Sequence, residues 1–367
     1  MMQHVLDFPN ARTLAPDFAH FPSTRYQGSK RKLLAFIHAA CSGYNFSSVL
    51  DLYSGTSSVA LLFRQMGKFV TANDYLLYNC VTGKVLLGTE SAWLESLDIA
   101  ALVARAFGHN GRSQTLVRDN YAKIYFTDLE NEQIDNFCAN LIEFEEEERD
   151  LLIYLMGQAM LMKRPYNLFH RANLDMRLKD VPRTFGNAKT WETPFYVHME
   201  KLGGRLKKLK FVGPKGNAQC LNTGDLENFS NEPDFIYLDP PYLNAKNMPV
   251  DYSSFYHFLD GIVDYPLFAK GNMKYPYKPI ALKESRWKTA AGGLVEIDAA
   301  LERWPNAQIA ISYRGDGYPS IEALKDTLVA RDYSISEHTA IDYKYALSKG
   351  AQTTEELIIG TPPSRVK

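Results

Sequence analysis

Short apolar runs bounded by turn residues recur along the first part of the chain and predict buried strands. Residues 48–52 and 69–72 are such runs, and an apolar stretch at 59–63 between them predicts a helix that ends near Gly67. A strand–helix–strand unit of about 30 residues is typical of a doubly wound sheet, in which helices connect parallel strands. The pattern therefore predicts an α/β fold.

The second half of the chain returns to this pattern. Residues 235–238 form an apolar run between Pro233 and the pair Pro240-Pro241, which predicts a buried strand that stops abruptly. Further strands are predicted at 218–221, 308–312, 334–341 and 355–359, and helices at 193–209, at 295–304 and from residue 320. The last two strands flank a single loop, so we expect them to form a hairpin.

Residues 77–190 lack the alternation of strands and helices. Helical patterns dominate there, the longest at 143–162, and a stretch rich in cations, amides and aromatic side chains follows at 163–173. We interpret this part of the chain as an insertion into the sheet. The resulting division is an N-terminal arm, a discontinuous sheet domain and an inserted region: 1–22, 23–76 with 191–367, and 77–190.

Composition narrows the class of protein. Hydrophobic residues make up 46% of the 367 positions and charged residues 23%, as in ordinary globular proteins. No apolar run approaches the roughly 18–20 residues that span a membrane and no secretory signal is evident, so we expect a cytoplasmic protein without membrane contact. The four cysteines lack metal or redox spacing. Because the net charge is −1, any nucleic-acid surface must be local.

Acidic residues follow four of the predicted strands. They are Asp51, Asp74, Asp225 and Asp239. Each alone is more often a turn or capping residue, but ligands of open α/β sheets bind at the carboxyl ends of the strands. The turn after the first strand has the single glycine Gly55, and the chain lacks both glycine-rich phosphate motifs, which disfavours a pyrophosphate ligand.

A neutral or zwitterionic nucleoside fits these residues better than a nucleotide. Asp74 would accept hydrogen bonds from ribose hydroxyls and Asp225 from a purine amine, while Lys30 would face a carboxylate of the ligand. The stretch Asp239-Pro240-Pro241-Tyr242 adds a carboxylate, a stiff backbone with free carbonyl oxygens and a flat ring. Such a group of acceptors beside an aromatic face suits a planar substrate that carries an amine. The alternative interpretation is a simple strand-to-loop turn.

These motifs, in this order, resemble the D12 class of adenine-N6 DNA methyltransferases, which use S-adenosylmethionine. The resemblance rests on residues 26–30, on 51–55 with Asp74 following, and on 239–242, and it extends over about 24–360. Two motifs depart from the usual pattern, since Tyr-Gln-Gly-Ser replaces Trp-x-Gly-Gly and Asp-Leu-Tyr replaces a Pro-Phe start. The resemblance implies a Rossmann-like S-adenosylmethionine methyltransferase sheet with a mainly helical inserted target-recognition region.

The resemblance also implies roles for particular residues. The catalytic residues would be Asp239, Pro240, Pro241 and Tyr242. The cofactor-binding residues would be Tyr26, Lys30, Asp51, Tyr53, Ser54, Gly55, Thr56, Asp74 and Asp225. The stretch that resembles the DNA-facing part of the family would contribute Arg164, Asn167, His170, Arg171, Asn173 and Arg177, unless it is a surface loop that folds back on its own helix. No metal is expected, because His170 has no companion ligands at metal spacing.

The function that follows is methyl transfer to adenine N6 in double-stranded DNA, after the base has been flipped out of the duplex. A restriction–modification role, with a cognate restriction endonuclease as partner, is the expected setting. Cytosine-C5 chemistry is excluded because none of the four cysteines follows a proline, as that nucleophile commonly does. The alternatives are an RNA adenine-N6 or protein-amide methyltransferase with a similar site, and a catalytically silent DNA-binding member of the family.

Overall fold

The computed structural model describes residues 16–108, 111, 114–179, 181, 187–243, 249–280, 282–343 and 353–365. Most of the predicted arm at 1–22 therefore lies outside the described residues, as does most of the loop between the last two predicted strands. Within the described part of the arm, Phe18–His20 form one 3-10 helical turn that Asp17 caps by accepting a hydrogen bond from the Ala19 amide.

Seven strands form one mixed sheet. In chain order they are β1 (Ser48–Asp51), β2 (Phe69–Asn73), β3 (Asn217–Gln219), β4 (Phe235–Leu238), β5 (Gln308–Arg314), β6 (Ser334–Tyr343) and β7 (Thr353–Thr361). Their order across the sheet is β3-β2-β1-β4-β5-β7-β6. The first five strands are parallel, and β7 runs antiparallel to both of its neighbours. The predicted α/β fold and the predicted terminal hairpin are confirmed.

Fourteen α-helices are present among the described residues. In chain order they are α1 (Leu34–Cys41), α2 (Ser58–Gln65), α3 (Leu77–Gly88), α4 (Ser91–Ser96), α5 (Ile99–Phe107), α6 (Leu116–Tyr121), α7 (Asp128–Asn140), α8 (Glu146–Lys163), α9 (Asp175–Leu178), α10 (Asn187–Glu192), α11 (Phe195–Leu206), α12 (Tyr252–Val263), α13 (Ala290–Arg303) and α14 (Ile321–Ala330). Eight of them, α3 to α10, fall between β2 and the end of the predicted insertion. The helix α8 packs against α3 and α11 and forms the centre of this group.

Both faces of the sheet are buried, which explains why its central strands are continuously apolar. In β1, Val49 belongs to the core on the side of α1, α2 and α3, whereas Leu50 belongs to the core on the side of α13 and α14. In β4, Phe235 faces the first core and Ile236 the second. Successive side chains of a strand point to opposite faces, so a strand covered on both sides needs apolar residues at every position.

The third strand differs from its prediction. The sequence places a strand at 218–221, but β3 comprises only Asn217–Gln219, and it forms one edge of the sheet beside β2. The chain leaves the sheet earlier than the apolar pattern indicates.

Candidate active site

A cavity of about 800 Å³ lies at the carboxyl ends of β1, β2 and β4. Eight of the nine predicted cofactor residues line it, together with two of the four predicted catalytic residues. They are Tyr26, Lys30, Asp51, Tyr53, Ser54, Gly55, Thr56 and Asp74, and then Asp239 and Pro241. The strand ends meet here because parallel strands start and stop at common edges of the sheet. Ligands of open α/β sheets bind at this edge.

Asp74 organises the two loops at the edge of the cavity. One of its carboxylate oxygens accepts a 3.0 Å hydrogen bond from the Gly55 amide and the other a 2.8 Å bond from the Leu76 amide. Gly55 has φ +50°, a conformation that L side chains rarely adopt, so the turn after β1 favours glycine. Asn73 also joins the strand ends, because its side chain donates to the carbonyl oxygens of Leu52 and Leu221.

Asp51 is a buried carboxylate without a hydrogen-bond partner for either oxygen among the described residues. Burial, and then the nearby charge of Asp239, raise its pKa well above the ordinary aspartate value. Ser54 Oγ is likewise buried without a partner there. Buried polar atoms are nearly always hydrogen-bonded in native proteins, so this part of the cavity is suited to a ligand that supplies donors or positive charge.

Three tyrosines form a stack on one side of the cavity. The ring centroids of Tyr26 and Tyr256 are 3.9 Å apart, and those of Tyr26 and Tyr252 are 5.8 Å apart. The hydroxyl of Tyr256 accepts a 2.7 Å hydrogen bond from the Gln27 amide, which anchors the loop before α1 to α12. Gly28 has φ +79°, and a Cβ there would lie 2.5 Å from the Tyr252 hydroxyl. The close approach of this loop to α12 therefore requires glycine.

The structure assigns Lys30 a different partner from the predicted one. Its Nζ atom lies 2.7 Å from Asp239 Oδ1 and 3.0 Å from Glu355 Oε1, and the side chain is only 5% exposed. The ammonium group is therefore held by two carboxylates of the protein itself. Lys30 also lines the cavity, so the expectation that it faces a carboxylate of the ligand stays a prediction.

Asp239 stands directly after β4, and its side chain is 22% exposed. Burial raises its pKa, the Lys30 ammonium opposes this effect, and Glu355 adds to it, with the result that the pKa lies at about 6. Pro241 lines the cavity. The ring of Tyr242 is buried instead, 6.4 Å from the Tyr313 ring and 5.5 Å from the Arg314 guanidinium.

Asp225 does not reach the cavity. It is exposed and precedes a short 3-10 helix, whereas Asn222 and Thr223 of the same turn line the cavity. Thr223 donates a 2.9 Å hydrogen bond to Glu296 of α13, which also accepts a 2.8 Å bond from the Tyr53 hydroxyl. The buried Glu296 therefore fixes two walls of the cavity.

Sequence analysis missed several residues that line the cavity. They include Asn73, Asn222, Thr223, Tyr252, Glu284 and Ser285. The turn that contains Asn222 carried a signal, because polar residues at a strand end are candidates for ligand contact. Tyr252, Glu284 and Ser285 belong to the long segment after β4, where no motif identifies which side chains turn toward the sheet.

Comparison with known proteins assigns the chain to a family. The family model for the D12 class of N6 adenine-specific DNA methyltransferases matches residues 26–266. The chain belongs to this family. Modification methylase StsI of Streptococcus sanguinis is 22% identical over 363 residues, which cover 91% of this chain and 50% of that protein. The chain thus spans about half the length of this curated relative. The resemblance inferred from the motifs is confirmed.

The predicted DNA-facing stretch of this D12 class chain is divided between interior and surface. Arg164 is 1% exposed and donates hydrogen bonds of 3.0 to 3.1 Å to the carbonyl oxygens of Tyr125, Leu168 and Arg171. It also donates to the Asn173 side chain. These bonds occupy its guanidinium group, so the expectation that Arg164 and Asn173 contact DNA is corrected to a structural role.

Arg177 is buried as well. Its two terminal nitrogens lie 2.9 and 2.6 Å from the two carboxylate oxygens of Glu130, and Lys163 Nζ lies 3.0 Å from the same carboxylate. This bidentate ion pair removes Arg177 from the DNA-facing set predicted from the sequence. Asn167 and His170 are half-buried and Arg171 is exposed, so these three remain at the surface.

The surface part of the stretch is attached to the active site. The Phe169 amide donates a 2.9 Å hydrogen bond to the Phe255 carbonyl in α12, and the His170 ring lies 5.0 Å from the Phe255 ring. The same helix begins with Tyr252, which lines the cavity. Burial, followed by the charges of Arg171 and Arg164, lowers the pKa of His170, which keeps it neutral at pH 7.

Two further structural properties of this D12 class member concern metals and membranes. In the part of the chain that the structure describes, no cluster of three or more His, Cys, Asp or Glu side chains could hold a metal ion. Within the same residues, no helix is long and apolar enough to cross a membrane.

Proposed function

We propose that this chain transfers a methyl group from S-adenosylmethionine to the N6 amine of an adenine flipped out of double-stranded DNA. The observation that carries the proposal is the position of Asp239. Its carboxylate stands at the carboxyl end of β4 and lines the cavity, and two prolines without N–H donors follow it. The family assignment supports adenine N6 as the acceptor.

The cavity residues fit S-adenosylmethionine. Polar and aromatic side chains from the ends of three parallel strands line the cavity, as in sites for nucleoside ligands of open α/β sheets. The buried carboxyl oxygens of Asp51 and the carboxylate of Asp74 provide acceptors for the donor groups of the ligand, among them the ribose hydroxyls. We propose that the cofactor is held by Tyr26, Asp51, Tyr53, Ser54, Gly55, Thr56 and Asp74. When bound, it supplies an electrophilic methyl group on a positively charged sulfur.

Asp239 makes the adenine amine reactive in this proposal. The amine is a poor nucleophile because its lone pair is delocalised into the ring. When Asp239 and the Pro240 carbonyl accept its two N–H bonds, the lone pair is released from the ring and can point into the cavity. At pH 7.5 a carboxyl group with a pKa of about 6 is mostly ionised, so Asp239 also offers negative charge to a nitrogen that becomes cationic.

Pro241 lines the cavity and would position the base, and the family resemblance assigns the stacking to Tyr242, whose ring is buried beside it. The ring of Tyr242 is held by Tyr313 and the Arg314 guanidinium, which limits the rotamers it can adopt. Stacking of a base on an aromatic ring contributes about 1–3 kcal/mol per base, which helps to offset the cost of unpairing the adenine. The chain itself supplies no covalent intermediate here, and its contribution is orientation and charge.

DNA binding is proposed for the surface part of the recognition stretch. Asn167, His170 and Arg171 offer amide, imidazole and guanidinium groups, which suit base edges and phosphates alike. The bond between Phe169 and α12 places this surface close to the cavity. We propose that 77–190 forms the target-recognition region, and that 23–76 with 191–367 forms the catalytic domain.

The biological setting is proposed to be DNA modification, because the name of the streptococcal relative is that of a modification methylase. A cognate restriction endonuclease would then be the partner. Mapping N6-methyladenine in host DNA with and without the gene should show one sequence context that loses its methylation. Scattered or unchanged methylation would contradict site-specific modification.

The activity itself is tested with labelled S-adenosylmethionine and unmethylated duplex DNA, followed by digestion to nucleosides. We expect label in N6-methyladenine with the parent protein. Asp239→Asn should slow the transfer by roughly 10- to 150-fold, because a charge-assisted hydrogen bond contributes about 1.5–3 kcal/mol. The matched control is Asp225→Asn, since Asp225 is exposed and lies outside the cavity. Label in RNA or protein instead of DNA would overturn the proposed substrate.

A further inference from the structure

Glu355 is a buried carboxylate next to the proposed catalytic aspartate, and the chemistry proposed above leaves it without a function. It lies near the start of β7, opposite Arg314 of β5 and Ile341 of β6, and its side chain is 0% exposed. Its Oε1 atom lies 3.0 Å from Lys30 Nζ and accepts a 2.7 Å hydrogen bond from Ser312 Oγ. Burying an additional negative charge is costly unless it is paired, so this position calls for a reason.

Lys30 connects Glu355 to Asp239. Its Nζ atom lies 2.7 Å from Asp239 Oδ1, so one ammonium group serves two carboxylates. With Lys30 as its only close neighbour, Asp239 would have its charge largely neutralised by the ammonium. Glu355 competes for the same ammonium, which leaves more negative charge on Asp239.

We propose that Glu355 is a positioning residue for Asp239 and that it acts through Lys30. This inference rests on the proposed adenine methylation. Glu355 and Ser312 hold the ammonium in place, the ammonium holds Oδ1 of Asp239, and the second oxygen of Asp239 stays available for the adenine amine. Lys30 and Glu355 then have different tasks. Lys30 orients the carboxylate of Asp239, and Glu355 keeps Lys30 from fully neutralising that carboxylate.

Among the residues that the structure describes, the other titratable groups around Asp239 do not account for such an effect. They are Asp51 from β1, Tyr237 from β4, Tyr242 from the following loop, Tyr252 from α12 and Tyr343 from β6. Burial raises the pKa of all four tyrosines above the ordinary value, so they stay neutral over the range in which a carboxyl group titrates. Asp51 is unchanged in the variants below and contributes equally to each profile.

The test is the substitution Glu355→Gln, which keeps an acceptor for Lys30 and Ser312 and removes only the charge. Removing a neighbouring negative charge makes ionisation of Asp239 easier, so its pKa falls. The rate of single-turnover methyl transfer is measured as a function of pH, and the acid limb is the low-pH side of this curve, where the rate rises as Asp239 ionises. The acid limb should therefore move down by about one pH unit. The rate at pH 5.5, as a fraction of the plateau rate, should rise from about one quarter to about three quarters.

The plateau rate should change in the opposite direction. Because Lys30 then neutralises Asp239 more completely, transfer at high pH should slow by about tenfold. Binding of S-adenosylmethionine and of DNA, measured on the same preparation, should stay within about twofold of the parent. A purely structural role for Glu355 would lower activity without moving the acid limb.

Two variants complete the design. Glu356→Gln is the matched control, because Glu356 is the next residue of β7 and pairs with His338 at 2.7 Å, outside this cluster; it should give the parent profile. Glu355→Asp retains the charge on a shorter side chain, so it should keep the parent's acid limb and slow the plateau rate several-fold.

An unmoved acid limb in Glu355→Gln would overturn the inference. If Glu355→Gln does not fold, the Glu355→Asp variant is measured instead. A Glu355→Asp variant that transfers methyl at the parent's rate, or whose acid limb is displaced, would refute the positioning role. Failure of the proposed function gives a different result, since the parent protein would then form no N6-methyladenine at any pH.

Discussion

Glu130 provides the sharpest test of how the recognition stretch is held. This residue of α7 accepts both terminal nitrogens of Arg177 and lies 3.0 Å from Lys163 Nζ. Lys163 also donates 2.5 Å hydrogen bonds to the carbonyl oxygens of Trp191 and Thr193. One carboxylate thus connects α7, the end of α8 and the segment that leads into α11. Its replacement by glutamine removes the charged group that both buried cations contact.

The magnitude follows from burial. The Lys163 and Arg177 side chains are 2% and 4% exposed, so solvent cannot replace the lost carboxylate. Removing one partner of a buried ion pair costs about 3–5 kcal/mol. The capping bond from the Thr127 amide to Glu130 survives in glutamine, which retains an acceptor oxygen. We therefore expect Glu130→Gln to lower the free energy of unfolding at pH 7 by about 3–5 kcal/mol.

The assay is urea unfolding followed by far-UV circular dichroism, with the midpoint and slope compared between variant and parent. If the free energy of unfolding falls by about 3 kcal/mol per molar urea in both proteins, the urea concentration at the midpoint should be lower in the variant by at least about 1 M. Glu132→Gln is the control on the same helix, because Glu132 is 50% exposed and lies 3.9 Å from Arg118. It should stay within about 0.5 kcal/mol of the parent.

Acid should reduce the difference between parent and Glu130→Gln. Burial alone would raise the pKa of Glu130, but the hydrogen bonds and charge of Arg177 and the charge of Lys163 hold it below the ordinary value. A lowered pKa stabilises the folded state above the unfolded pKa of about 4.3, and this contribution is lost as the pH falls through the folded value. An equal urea midpoint for Glu130→Gln and parent at pH 7 would refute the reasoning.

Three further outcomes are expected. Asp74→Ala should weaken S-adenosylmethionine binding by at least about tenfold in calorimetry, because it releases the amides of Gly55 and Leu76 and removes a ligand acceptor; unchanged affinity would place the cofactor elsewhere. The single-turnover rate of the parent should be half-maximal near pH 6 and rise with pH, because Asp239 must be ionised; a flat profile from pH 5 to pH 8 would argue against this role. Arg171→Ala should reduce the steepness of the plot of log DNA affinity against log salt concentration by about 0.9. A variant with the same slope as the parent would exclude a phosphate contact for Arg171.

The sequence by itself determined the fold class and the location of the site. Residues 48–51 and 235–238 lie in strands covered on both faces, so Val49, Leu50 and all of 235–238 are apolar and a local pattern identifies both strands. Parallel strands end at a common edge, so aspartates that follow such strands were expected to meet, and Asp51, Asp74 and Asp239 do line one cavity. Asp225 does not line it, because it is exposed at the far end of a turn of which Asn222 and Thr223 reach the cavity.

Only the tertiary structure decided which charges meet. Arg164 and Arg177 stand in a polar stretch typical of a DNA-facing surface, yet their donors are taken up by Tyr125 and Glu130. The sequence likewise places Lys30 beside a ligand, whereas the fold brings Glu355 from the last strand to its ammonium. The periodicity of apolar residues indicates whether a position is buried. It does not indicate which carboxylate or carbonyl group a long cationic side chain contacts, because those groups come from other elements of the packed fold. That choice depends on residues distant in sequence, so no local pattern contains it.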